Sequence, residues 1–238
     1  MSSKLLALVV TLTALVFLSS CNGTDPNDEP RLVMETEVSS NTVTVAGEQS
    51  DPSVDGFRVI DSLRVNRTRI LISRIKLHTA EDGEDDNKGK DVKVGPAVID
   101  FTRNKVSTIF STPIPVGRYE KIKLEMHKFN SNEALTYRSD ATFGPFAEPE
   151  RITLIVDGTL YVNGVPEDFT WTDDQTSNLW IKFEPYIEVT ASSTTNVVLN
   201  FDPVFAFRFG GKLLDPKDVN LKGQLRDRFW GALKLRRK

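Results

Sequence analysis

Short runs in which apolar and polar residues alternate, separated by turn residues, dominate the chain up to about residue 215. Segments 71–79 and 119–129 show this most clearly, with apolar residues on one face and polar residues on the other. The outward residues are Arg74, Lys76 and His78 in the first segment, and Lys123, Glu125 and His127 in the second. A period of two residues predicts strands with one buried face and one solvent-exposed face.

Further strands are predicted over residues 96–101, 106–110, 152–162, 167–172, 179–189 and 196–202. Asn163-Gly164 suits a two-residue hairpin turn, because both residues tolerate a positive φ angle. Helical periodicity is nearly absent before residue 215. We therefore predict an all-β fold, an antiparallel β-sandwich, over residues 31–214.

Residues 215–238 have a different pattern. Asp215-Pro216 suits a helix start, with Asp as the cap and Pro in the first turn. Apolar residues then recur at every fourth position, at Leu221, Leu225, Phe229 and Leu233. The pattern predicts a basic amphipathic C-terminal helix over residues 215–238. Its apolar stripe would pack on the sandwich or dock onto an envelope complex.

The N-terminus has the layout of a secretory signal peptide, since Lys4 precedes an apolar run from Leu5 to Leu18 and small residues follow. The run is shorter than the roughly 20 residues that a transmembrane helix needs. Leu18-Ser19-Ser20-Cys21 resembles the bacterial lipobox. The resemblance implies that residues 1–20 are a lipoprotein signal peptide and that lipid on Cys21 anchors the chain to a membrane.

Cys21 is also the only cysteine, so a disulfide within the chain is impossible. The alternatives to lipidation are a free thiol and an intermolecular disulfide. Residues 21–30 are polar and acidic, which predicts a flexible tether. Asn22 favours the outer membrane, because lipoproteins retained in the inner membrane tend to carry Asp there. The net charge of -3 predicts no bulk attraction to nucleic acid.

Three segments between about Leu63 and Phe207 resemble a domain-of-unknown-function family of bacterial surface lipoproteins. They are residues 72–78, 115–124 and 198–203, which resemble a Val-Glu-Val-His-like strand, a Pro-x-Gly-x-Tyr segment and a closing Leu-Asp-Phe-Asp strand. Asn200 stands where that family usually has Asp. The resemblance implies a β-sandwich on an envelope lipoprotein. It supplies no activity, so no functional residue is carried over.

Several motifs of catalytic sites are missing from the sequence. It contains no Gly-x-Ser-x-Gly elbow, no His-Glu-x-x-His and no phosphate-binding Gly-Lys-Ser/Thr loop. We therefore predict a protein that is not an enzyme. His78 and His127 both fall on predicted solvent faces, where they are either ordinary surface residues or two ligands of a shared metal.

The segment 81–91 is the densest acidic stretch and contains two glycines. Calcium prefers several carboxylates that a flexible loop brings together. The candidate calcium ligands are Asp82, Glu84, Asp86 and Asp91. The spacing does not fit an EF-hand, and a solvated loop between two strands is the alternative.

Strand 179–189 carries the candidate ligand site. Alternation places Leu179, Ile181 and Phe183 inward, and it places Trp180, Lys182 and Glu184 outward. An exposed tryptophan on a sheet is typical of surfaces that stack sugar rings, so we predict a binding module for a glycan or a protein at these three residues. The alternative is that Trp180 packs under the C-terminal helix or a loop.

One candidate modification site lies elsewhere in the chain. Asp61-Ser62-Leu63 matches a short O-glycosylation pattern of Bacteroidetes envelope proteins, which makes Ser62 the candidate attachment residue.

Overall fold

The computed structural model describes residues 29–40, 42–44, 60–82, 88–102 and 105–238. The strands are β1 Arg31–Val38, β2 Thr42–Thr44, β3 Ser62–His78, β4 Lys90–Thr102, β5 Ser107–Pro113, β6 Gly117–Met126, β7 Leu154–Val162, β8 Val165–Asp173, β9 Ser177–Val189, β10 Thr194–Phe201, β11 Arg208–Phe209, β12 Lys212–Leu213 and β13 Leu233–Arg237. The α-helices are α1 Ser131–Tyr137, α2 Gly144–Ala147, α3 Pro203–Phe207 and α4 Lys222–Gly231. Short 3-10 turns cover Ala80–Asp82 and Val219–Leu221.

Eleven of these strands form one curled sheet in the order β5-β1-β10-β13-β9-β6-β3-β7-β8, with β2 and β4 as further partners of β3. The prediction of a mostly β fold is confirmed. The prediction of an antiparallel sandwich is wrong, because β1 pairs with β10 in parallel and β13 pairs with β9 in parallel. The second parallel pair arises because β13 lies between β9 and β10, which run in opposite directions, and is antiparallel to β10.

Strand β3 is the longest strand and pairs along both edges. Along one edge it pairs with β7 over Ser62–Ile70 and then with β6 over Arg74–His78. Along the other edge it pairs first with β2 and then with β4. Between the two partners of the first edge, the consecutive residues Leu71 and Ile72 are both buried. Since consecutive residues of a strand face opposite sides, both sides of the sheet are covered at this point.

The main core fills the inside of the curl. Its aromatic residues form a chain of ring contacts through Phe101, Phe201, Phe229, Trp171, Phe207 and Phe169. The sheet curls so that β1 approaches β4, where the Thr36 hydroxyl of β1 donates a hydrogen bond to the Asp100 carbonyl of β4 at 2.9 Å. The curl therefore closes around one apolar interior.

A second, smaller core lies outside the curl, where α1 and α2 cover the middle of β3. Leu71 and Ile155 of the sheet pack there against Phe129, Phe146 and Ile152. Asn130 caps α1 by accepting hydrogen bonds from the backbone of residues 132 and 133, and the residue-133 carboxylate accepts from the Asn130 backbone. Asn130 and Glu133 form a capping box. This is a sequence signal for a helix start, and our sequence analysis missed it.

The C-terminal prediction needs a correction. The helix ends at Gly231, and Leu233–Arg237 forms a strand inside the sheet. The predicted stripe is buried at Leu225, Phe229 and Leu233, in the core of the same chain. Two basic residues of the tail also have partners on β1, since Arg236 pairs with Glu37 and Lys238 pairs with Glu35 at 2.7 Å.

A buried ion pair ties α4 to the sheet. The Nε–H group of Arg226 donates a bifurcated hydrogen bond to the two oxygens of the Asp173 carboxylate, at 2.8 and 3.0 Å. The Asp173 side chain is fully buried. The hydrogen bond to Asp173 raises the pKa of Arg226, and this effect exceeds the lowering caused by burial. Removing Arg226 would leave the Asp173 carboxylate buried and unpaired, which typically costs about 3–5 kcal/mol.

We expect a chain that ends at Gly231 to lose its cooperative unfolding transition. The deletion removes β13 from between β9 and β10 and leaves backbone groups of both strands without partners. Thermal unfolding followed by circular dichroism measures the effect. The control is Lys234→Ala, at an exposed position of β13, which we expect to change stability by at most about 0.5 kcal/mol. A truncated chain that unfolds like the full protein would show that the tail is dispensable.

Candidate functional site

One side of β3, β6 and β9 carries a group of basic side chains, of which Lys76, His78 and Lys123 are buried. Cross-strand pairing aligns His78 with Lys121 and Lys121 with Lys182 in one row. The next row aligns Lys76 with Lys123 and Lys123 with Trp180. We call these six residues the lysine face. It lies on the side of the sheet that faces away from the main core.

The lysine face places like charges directly opposite each other. Lys121 faces Lys182 across β6 and β9, and Lys76 faces Lys123 across β3 and β6. Like charges at such positions destabilise a sheet, because their Cβ atoms are only about 5 Å apart. The Lys123 ammonium is buried and is compensated by the Glu125 carboxylate at 3.0 Å. The opposed lysines Lys121 and Lys182 are therefore the part of the lysine face that opposes stability.

Trp180 faces outward, as the alternation predicted, but its ring is half-buried. It packs edge-on against the fully buried His78, with ring centroids 4.7 Å apart. The ammonium groups of Lys121 and Lys123 lie 4.7 and 5.5 Å from the ring centroid. The ring contacts that the structure describes are therefore with the lysine face and not with the C-terminal helix. Trp180 therefore stabilises these two ammonium groups and does not offer an open ring face on which a sugar could stack.

An open groove lies beside the lysine face, between β6 and β9. The pairing of the two strands is interrupted there, since Tyr119 faces Ile187 whereas Lys121 faces Lys182. Residues 183–186 of β9 consequently stand opposite the single residue Glu120, and the bulge separates the strands. The groove has a volume of about 380 Å³ and is lined by Thr79, Ala80, Arg118, Glu120, Lys121, Lys182, Phe183, Glu184 and Tyr186.

The two ends of the groove differ in charge. At one end the Arg118 guanidinium lies 3.6 Å from the centroid of the Tyr186 ring and donates a hydrogen bond to the Glu120 carboxylate at 3.0 Å. At the other end are Lys121 and Lys182. Among the residues that the structure describes, no carboxylate forms an ion pair with either lysine. The lysine end therefore carries the excess positive charge of the groove.

The structure brings together the three predicted ligand-binding residues. Lys182 and Glu184 line the groove, and Trp180 borders it through its contact with Lys121. Sequence reasoning missed Arg118 and Tyr186. Pro185 in the middle of a strand was the available signal, because proline inside a strand marks an edge or a bulge.

The two histidines do not form a shared metal site. His78 is fully buried and pairs with Lys121, whereas His127 is exposed just beyond the end of β6. Six residues of extended strand separate Lys121 from His127, which corresponds to about 20 Å. One ion cannot bind both side chains.

The other predicted sites are only partly covered by the structure. Asp82 ends a 3-10 turn, Asp91 lies on β4 with its carboxylate 3.8 Å from Arg74, and Glu84 and Asp86 lie outside the described residues. In the described ranges, no group of three or more potential metal ligands occurs. The calcium site therefore stays a prediction.

Ser62, the candidate glycosylation residue, is half-buried at the start of β3 between β2 and β7. Cys21 and the signal peptide lie outside the described residues, so lipidation stays a prediction as well. Within the ranges that the structure does describe, no helix is long and apolar enough to cross a membrane.

We expect Gly89→Ala to destabilise the protein more than Gly95→Ala does. Both glycines have nearly the same φ angle, +87° and +88°, so the backbone strain is matched. A Cβ atom at position 89 would lie 2.5 Å from Nε2 of His78, whereas nothing lies within 4 Å at position 95. The clash should cost about 1–3 kcal/mol beyond the control, measured by urea unfolding. Equal losses would show that His78 is not held against this turn.

Comparison with known families places the groove inside a recognised domain. A family model described as a domain of unknown function (DUF4382) matches residues 57–214, a range that includes β3 to β12. Neither the curated proteins nor the solved structures contain a match to this chain. The family description carries no activity, so the functional argument depends on the groove itself. The match covers well over half of the chain, and the protein therefore belongs to the DUF4382 family.

Proposed function

We propose that the protein is a lipid-anchored lipoprotein of the cell envelope whose β domain binds a glycan without catalysing a reaction. The signal peptide and the lipobox at residues 18–21 support the anchor. The groove between β6 and β9 supports the binding function and is the observation that carries the proposal. A protein ligand is the other class that the sequence suggested.

The lining of the groove favours a small polar ligand. Arg118 and the two lysines donate hydrogen bonds, and Glu120 and Glu184 accept them, which suits the hydroxyl groups of a sugar. The Tyr186 ring is 42% exposed beside these groups. A volume of about 380 Å³ falls in the range of small-molecule sites. A stable protein partner would need roughly 800 Å² of surface on this side, which is why we prefer a glycan.

The packing of Trp180 changes the role that we assign to it. A sugar ring stacks on an open aromatic face, but here two ammonium groups lie close to the ring. We assign Trp180 to the support of Lys121 through a cation–π contact. Tyr186, which is 42% exposed and holds the Arg118 guanidinium 3.6 Å from its ring centroid, then forms an aromatic wall of the groove.

One observation favours hydrolysis as a second candidate function. Glu120 of β6 and Glu184 of β9 line the same groove, and glycosidases generally use two carboxylates that flank the scissile bond. A general acid usually needs a partly apolar environment that keeps it protonated. Glu120 instead accepts a hydrogen bond from Arg118, and Glu184 is exposed. These contacts favour binding over catalysis.

The alternative function, docking onto an envelope complex through the C-terminal helix, receives no support from the packing of that helix. Leu225 and Phe229 are buried in the main core. The helix has no continuous apolar stripe left for a partner.

We expect Cys21→Ser to abolish lipidation. In a bacterial host, the chain that keeps Cys21 should incorporate radiolabelled palmitate and partition into detergent, because thioether-linked and amide-linked acyl chains anchor it. The variant should show neither property. Thr24→Ser is the matched control, since it lies outside the lipobox and keeps the thiol. Label incorporation into the Cys21→Ser chain would contradict the anchor.

We expect Tyr186→Ala to weaken glycan binding by about tenfold or more, because the side chain forms one wall of the groove. The unmodified protein is first applied to an array of bacterial, plant and animal oligosaccharides, and the affinity for the ligand found is measured by calorimetry. Phe209→Ala, which removes an exposed aromatic ring on β11, is the control. Equal affinities of the two variants would exclude the groove as the glycan-binding site. The same mixtures are examined for cleavage products, and we expect none.

A further inference from the structure

We propose that the ligand is an acidic glycan, and that its carboxylate or sulfate group binds between Lys121 and Lys182. This inference rests on the proposed function, because it names the chemical class of the ligand for the same groove. The shared chemistry is an anionic oxygen group on a sugar, and both a uronate and a sulfate ester supply it.

The first argument is the compensation of charge. The other cations around the groove have carboxylate partners, since Arg118 pairs with Glu120 and Lys123 pairs with Glu125, each at 3.0 Å. Lys121 and Lys182 form no such pair with any residue in the described ranges. An anion placed between them would turn the repulsion of the two ammonium groups into two attractions.

The second argument is that Lys121 is held in place. Its ammonium lies 4.7 Å from the centroid of the Trp180 ring, which is itself packed on the buried His78. A cation that is already ordered and partly removed from water loses less entropy when it binds an anion. Lys182 is exposed and lies directly opposite, so the ligand reaches both side chains from solvent.

The third argument is the polarity of the groove along its length. Glu120 and Glu184 would repel a ligand that was anionic throughout. Arg118 compensates Glu120, so Glu184 leaves the Tyr186 end with one negative charge while the lysine end carries two positive charges. This gradient fits a sugar chain in which one acidic group sits at the lysines and hydroxyl groups face the glutamates.

The test compares acidic oligosaccharides with neutral forms of the same sugars. The probes are tetragalacturonate and its methyl ester, and a sulfated galactose tetrasaccharide and its desulfated form, each titrated by calorimetry at low and at physiological ionic strength. We expect one acidic probe to bind about tenfold or more tightly than its neutral form, since a hydrogen bond to a charged group contributes about 1.5–3 kcal/mol. Its affinity should fall as salt is added.

The double variant Lys121→Gln with Lys182→Gln should lose this preference, so that it binds the acidic probe no more tightly than the neutral form. Glutamine retains the length of a polar side chain and removes the charge, and relief of the like-charge pair should leave the fold at least as stable. Lys234→Gln, at an exposed position of β13, is the matched control and should keep the preference. Thermal unfolding followed by circular dichroism shows independently of binding that the double variant is folded.

The outcomes separate this inference from the proposed function. A preference for the uronate or for the sulfate supports the inference and identifies the anion. Equal binding of acidic and neutral forms, or a preference that survives in the double variant, overturns the inference and leaves glycan binding intact. Binding of none of the array sugars and none of these probes overturns both.

Discussion

Backbone hydrogen bonding along β3 is the constraint on which the rest of the structure depends. The strand has 17 residues and pairs with β2 and β4 on one edge and with β7 and β6 on the other. Every buried backbone amide and carbonyl needs a partner, so this strand determines where four others lie. The change of partner between Ile70 and Arg74 opens the space that α1 and α2 fill. The same change brings His78 and Lys76 beside β6, which begins the lysine face.

The groove follows from an irregularity in this otherwise continuous pairing. A regular ladder between β6 and β9 would leave a flat surface with two opposed rows of charge. The bulge at residues 183–186 adds residues to one strand, pushes the strands apart and turns Tyr186 and Glu184 into the walls of a cleft. Bulges are a common device for redirecting side chains at functional sites. The groove therefore combines two features that do not stabilise the sheet. One is the interruption of the pairing between β6 and β9, and the other is the pair of lysines that repel each other.

The sheet is completed by strands that lie outside the family match. The match covers residues 57–214, whereas β1 and β13 lie before and after it. These two strands flank β10, and β13 also contacts β9 beside Phe183. The tail thus helps to hold the strand that forms one wall of the groove. Its basic residues Arg236 and Lys238 pair with glutamates of β1, which accounts for part of the basic character that the sequence shows.

The local patterns of the sequence determined much of the secondary structure. Alternation at 71–79 and 119–129 identified β3 and β6, but the predicted solvent faces were wrong at Lys76, His78 and Lys123, which are buried, and Leu71 packs in the second core. The alternation at 179–183 gave the correct inward and outward residues of β9. The family resemblance was also recognisable, because it depends on short segments within single strands. Alternation predicts a strand reliably since it reflects one local property, the exposure of each residue to water.

Only the tertiary structure decided how the strands are arranged and what the site is. The stripe at Leu221, Leu225, Phe229 and Leu233 predicted one long helix, yet burial of Leu233 and Leu235 between β9 and β10 makes the last residues a strand. Likewise, Trp180 faces outward as predicted, but contacts with His78 and Lys121 from other strands take up its ring. Cross-strand neighbours are distant in sequence, and no local pattern encodes which strands pair or in what register. The groove is a product of that register, which is why the sequence by itself indicated some of its residues and not its shape.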